Sequence, residues 1–65
     1  MAKHKKVYIC YAPGGSILWT ETGSAEAAAK AGLHPTNLFV HLKDGSADHL
    51  GRTYDTELIE IEDEI

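Results

Sequence analysis

The sequence predicts an α+β fold: one small domain over residues 1–65, ordered β-β-α-β-β, with an antiparallel four-stranded sheet in the order 2-1-3-4 and one helix on one face. Three observations lead there. Residues 24–33 (SAEAAAKAGL) are an alanine-rich run with helix punctuation, residues 6–12 (KVYICYA) are β-branched and aromatic without polar alternation, and residues 37–43 and 54–62 alternate apolar with polar.

Lacking alternation, residues 6–12 are expected at the centre of the sheet, covered on both faces. Pro13, Gly14 and Gly15 then supply the fixed φ and the positive-φ tolerance of a hairpin turn, and residues 17–22 return as the second strand. In the helix, Ser24 is expected to cap the N-terminus, Glu26 and Lys30 to pair four residues apart, and Gly32 to end the last turn, with Leu33 folding back over it. Pro35 bars resumption. Eight helical residues span only about 12 Å and are not stable alone, so Ala27, Ala28 and Ala31 must dock the helix on a sheet.

Residues 37–43 are expected as the third strand, with Leu38, Val40 and Leu42 facing one way and Phe39 and His41 the other. Asp44, Gly45 and Ser46 signal a turn, and residues 47–52 read either as loop or as a single helical turn. Residues 54–62 complete the sheet as an acidic edge strand with Ile59 and Ile61 inward. The helix would then cover Val7, Ile9, Tyr11, Leu38, Val40, Leu42, Ile59 and Ile61, leaving Tyr8, Cys10, Phe39, His41 and Leu58 on the far face, with Trp19 joining either.

Composition narrows the function classes. Cys10 is the only cysteine, so no internal disulfide forms and no cysteine cluster offers a structural zinc site. No apolar run approaches the roughly 20 residues of a membrane helix. The N-terminus leads straight into a strand pattern, and the chain is expected to be soluble, unprocessed and cytoplasmic, in a host cell if the protein is phage-encoded. His4, His34, His41 and His49 lack ligand spacing, and residues 44–48 do not match a calcium loop. Cys10 and His41 on adjacent strands would superficially suggest a nucleophile and base, but a cysteine inside an apolar strand reads as a packing residue. The expectation is a protein that is not an enzyme, with no catalytic residue, metal or cofactor.

Charge is the sharper feature. The net charge is −4, yet residues 1–33 carry four lysines against two acids, and residues 34–65 two cations against eight acids. Alternate strand residues lie about 6.6 Å apart, a spacing like that of successive phosphates. Asp55 and Glu57 make one such step and Glu60, Glu62 and Glu64 a longer row of opposite parity, with Asp44 and Asp48 extending the field from the neighbouring turn. These seven acids are the candidate partner-binding residues. The competing reading is a solvated edge with an acidic tail.

In length, acidity, cysteine poverty and architecture, the chain resembles small phage-encoded inhibitors such as anti-CRISPR proteins, several of which are DNA mimics. That resemblance implies a protein partner with a basic, nucleic-acid-binding groove in a bacterial nucleic-acid-processing complex. Direct nucleic-acid or membrane binding is not expected, and a monomer is expected over a dimer. Two other readings stay open: a structural or regulatory module, or homodimer, acting through the open aromatic sheet face, and a small nucleic-acid-binding protein using Lys3, Lys5, Lys6 and the sheet aromatics.

Overall fold

A strand without polar alternation needs cover on both sides. The computed structural model, which describes residues 2–62, accordingly puts β1 (Ala2–Tyr11) at the centre of an antiparallel sheet, flanked by β2 (Ile17–Glu21) and β3 (Thr53–Glu62). Tyr8, Ile9 and Cys10 are all buried, so both faces of β1 are closed at this level. The hairpin to β2 turns through residues 12–16, where the Gly15 N–H donates to the Ala12 carbonyl and the Ala12 N–H to that of Ser16. One extra residue, Leu18, lies between the Cys10–Trp19 and Tyr11–Ile17 pairs and makes a bulge near the turn.

The fold is thus a small α+β domain, but with three strands and two helices, not four and one. Residues expected as the third strand form instead the second helix. After α1 (Ser24–Ala31) the chain turns through Gly32, Leu33 and His34 and enters α2 (Pro35–Asp44). Pro35 suits the first helical turn, where its missing N–H costs nothing, and the His34 Nδ1 accepts a hydrogen bond from the Thr36 N–H. Gly45, at φ 68°, closes the helix with its N–H on the His41 carbonyl. The alternation of Leu38, Val40 and Leu42 was ambiguous: Leu38 and Leu42 also share a helix face at i, i+4. Val40 does not share it, and it is exposed while Leu38 is fully buried.

Losing that strand changes the sheet order from 2-1-3-4 to β2-β1-β3, with the last strand directly against the first. The covered face changes as well. Tyr8, Cys10 and Tyr54 pack with Ala27, Ala28, Ala31 and Leu38, and Trp19, Leu33 and Leu42 close the cluster's sides. Tyr8 and Cys10 therefore lie under the helices, whereas the sequence places them on the far face. Ile9 is buried on the other face between its partners Thr20 and Asp55, and Ile59 is largely exposed. The physical reason is volume: alanine-faced α1 approaches closely, so the large Tyr8 and Tyr54 rings fill the helix side.

Local signals in α1 held in part. Gly32, at φ 72°, donates to the Ala29 carbonyl, while the Leu33 N–H donates to that of Ala28, the paired bonds of a Schellman end. Ser24 does not cap. Gly23 is the N-cap, with no side-chain bond. Lys30 reaches Glu21 at 2.9 Å and stands over the Trp19 ring, which ties α1 to β2.

β1 pairs with β3 from Tyr11–Thr53 to Ala2–Glu62, whereas β2 reaches only from Tyr11 to Tyr8. Beyond Tyr8, therefore, β1 and β3 continue as a two-stranded arm, and the described chain extends 44 × 24 × 19 Å.

A left-handed residue with a Cβ costs roughly 1–2 kcal/mol. Gly32→Ala is thus expected to destabilise the protein by about that amount in urea denaturation. Gly14→Ala meets no atom within 4 Å and no positive φ, and should be neutral or stabilising by up to ~1 kcal/mol.

Candidate functional site

A buried carboxylate and its arginine tie the loop after α2 to the end of α1. Asp48 is the one buried charged residue among those described. Its Oδ1 accepts from the Leu50 and Arg52 N–H groups, each at 2.9 Å, and its Oδ2 accepts from Arg52 Nε at 2.9 Å and from the Tyr54 hydroxyl. Arg52 Nη2 also donates to the Ala31 carbonyl at 2.8 Å, placing a cation at the negative end of α1. Gly51, at φ 80°, makes the turn possible and lies against Pro13 of the hairpin loop. Asp48 and Arg52 together thereby fasten the end of α1, the loop after α2 and the start of β3.

Burial alone would raise the Asp48 pKa. The hydrogen bonds from Tyr54, the two backbone N–H groups and Arg52 outweigh it and hold the carboxyl well below its ordinary 3.8. Burial, then the bond to Asp48, pushes the Tyr54 hydroxyl well above its ordinary 10.0. The Tyr54 ring packs 6.3 Å from Trp19 and 6.0 Å from His41, whose Nδ1 is 3.1 Å from the Ser46 hydroxyl.

So fixed, α2 buries Leu38, half-buries His41 and Leu42, and exposes the opposite stripe. Thr36, Asn37, Phe39, Val40 and Lys43 lie there, with Phe39 45% and Val40 47% exposed. Two large apolar side chains this open on a ten-residue helix are an unpartnered surface. Residues 23–52 carry three cations and three acids, and Asp48 with Arg52 cancel inside, so the helical half has no net charge. The chain's negative excess sits elsewhere.

The seven acids expected to form one surface are dispersed. Asp44 is exposed at the end of α2, and Asp48 is internal, so it presents no charge. Asp55 and Glu57 are exposed on the sheet face away from the helices, Glu60 on the other face. Glu62 is the last ladder position, opposite Ala2, and Glu64 lies outside the described residues. Pairing also interleaves these acids with the basic strand: Glu60 is directly opposite His4 and diagonal to Lys6, and Glu57 is diagonal to Lys5.

Among the described residues no group of side chains has metal-ligand geometry and no pocket forms. Cys10 is wholly buried, burial pushes its thiol up, and the His41 Nδ1 is turned to Ser46. No family model matches the chain, and no curated protein or solved structure matches it either. Two features escaped the sequence reading. The helical identity of residues 35–44 was signalled by Pro35 near the start and Gly45 just past the end. For the Asp48–Arg52–Tyr54 clamp the only sequence hint was an acid and a base four apart around a glycine.

Removing one partner of a buried ion pair costs about 3–5 kcal/mol. A 65-residue domain, at ~0.05–0.15 kcal/mol per residue, has little more in total. Asp48→Ala should therefore leave much of the protein unfolded by circular dichroism at 25 °C, and Tyr54→Phe should cost about 1.5–3 kcal/mol. Because folding lowers the Asp48 pKa, its contribution is complete above the ordinary value of 3.8 and is lost as pH falls below it. Tyr54 has the opposite sign: its contribution is complete below pH 10.0 and is lost as pH rises beyond. Melting temperatures across both limbs check this, and Tyr54→Phe should flatten the alkaline limb.

Proposed function

We propose that the protein binds double-stranded nucleic acid through α2, as the second helix of a helix-turn-helix. What carries the reading is the geometry of the pair: an eight-residue helix, a three-residue turn beginning with Gly32, and a ten-residue helix whose outer face is unpartnered. Fold alone does not establish function. The residue types on that face add support. Asn37 suits the adenine edge, Thr36, Phe39 and Val40 suit thymine methyl groups, and Lys43 at the flank suits a phosphate. The negative net charge is no obstacle, since the helical half is neutral and the negative excess lies outside it. This differs from the nucleic-acid reading of the sequence, which used the amino-terminal lysines and sheet aromatics.

A second reading has one observation in its favour. β3 is a free edge carrying Asp55, Glu57 and Glu60 exposed, so an acidic inhibitor docking in a basic groove, as an anti-CRISPR-like DNA mimic would, has a strand to present. Against it stands the interleaving with His4, Lys5 and Lys6.

Selection from a pool of randomised duplexes at low salt tests the first reading. Few phosphate contacts are available, so log K should fall with log salt at a slope of about −2 to −4. Lys43→Ala should reduce that slope by about 1, and Asn37→Ala should relax preference at one base position by about 1–3 kcal/mol without altering the melting temperature. If no duplex binds even at low salt, the first reading fails. For the second, reversing charge at Glu57, Glu60 and Glu62 should abolish capture of a basic protein partner and leave the fold intact.

A further inference from the structure

Among the described residues, β3 has no strand beyond it along its ten residues. Leu58 and Ile59, on opposite faces of the arm, are 66% and 45% exposed. The Thr56 N–H donates to Asp55 Oδ1 at 2.8 Å, so it points away from β1, and the alternation of an antiparallel ladder aims the backbone groups of Tyr54, Leu58 and Glu60 outward with it. An added antiparallel strand from an identical chain must therefore match even-numbered residues with even. We propose that β3 pairs with β3 of a second copy, antiparallel about a two-fold axis at Leu58, to give one continuous six-stranded sheet.

Charge excludes the registers that oppose acid to acid. Centred on Leu58, the pairing sets Leu58 against Leu58, Glu57 against Ile59 and Thr56 against Glu60, so no carboxylate opposes another among residues 56–60. Centring on Glu57 would set acid against acid, which destabilises. The Leu58 register also lines up rows across three strands. Lys5 lies behind Ile59, facing the second copy's Glu57, and Tyr8, with Lys6 5.6 Å from its ring centroid, lies behind Thr56, facing the second copy's Glu60. Centring on Ile59 also opposes no carboxylates among those residues and keeps one such row, Lys6 behind Leu58 and in line with the second copy's Glu60. The Leu58 register is preferred because it sets the exposed Leu58 against its own copy at the axis. Of the acids of β3, which would repel an identical strand in most registers, Glu57 thereby comes into line with a lysine of β1. Since the axis is perpendicular to the sheet, both helix pairs lie on the same face of the dimer. The proposal does not depend on nucleic-acid binding, because its readout is the protein's own assembly.

Sedimentation velocity of the full chain over a concentration series tests it. A monomer–dimer equilibrium is expected. Leu58→Pro deletes an outward N–H and leaves the ladder to β1 intact, while Leu58→Glu sets two carboxylates against each other at the axis. Each should raise the dimer dissociation constant at least about tenfold, a change of about 1.4 kcal/mol, with an unchanged circular dichroism spectrum. Asp55→Ala frees the Thr56 N–H and should tighten the dimer. A monomer at every concentration, association beyond two copies, or a dimer indifferent to Leu58→Glu overturns the proposal. Should Leu58→Pro fail to fold, Leu58→Glu decides by itself.

Discussion

The carboxylate of Asp48 is the constraint on which the rest of the molecule depends. An ionised group out of water is tolerated only when its lone pairs are met, and here two backbone N–H groups, a guanidinium and a phenol meet them. Every one of those donors lies within six residues along the chain, yet Arg52 carries the clamp to the far end of α1. Helices of eight and ten residues do not persist alone. Their relative placement is therefore set by what they pack on and by this anchor, and the exposed face of α2 inherits its orientation from both.

A small chain with so thin a core gains from doing two things with one sheet. At one end β1 and β3 carry the tyrosines and Cys10 that the helices cover. At the other they run on as an arm whose charges are sorted by strand, basic on β1 and acidic on β3. That sorting keeps the arm's own ladder favourable. It also leaves the helical half of a chain with a net charge of −4 without net charge.

The arm's free edge and the open α2 stripe are among the surfaces that folding leaves open. They differ in kind. The edge offers backbone hydrogen-bonding groups in a fixed register, which suits another strand. The α2 stripe offers apolar and amide side chains on a convex helix, which suits a groove.

By itself the sequence determined the α+β class, the central first strand, the hairpin, α1 with its Gly32 terminus and the edge position of an acidic last strand, because each follows from signals within a dozen residues. Only the tertiary structure decided the rest. Whether Leu38 and Leu42 were strand or helix neighbours depended on which surface lay beneath them, since both periods fit so short a run. Which face of β1 the helices covered depended on the match between alanines on α1 and tyrosines on the sheet. Asp48 read as a surface acid because its donors converge only once the loop closes, and the acids of β3 read as an isolated row because their basic neighbours lie some fifty residues earlier in the chain.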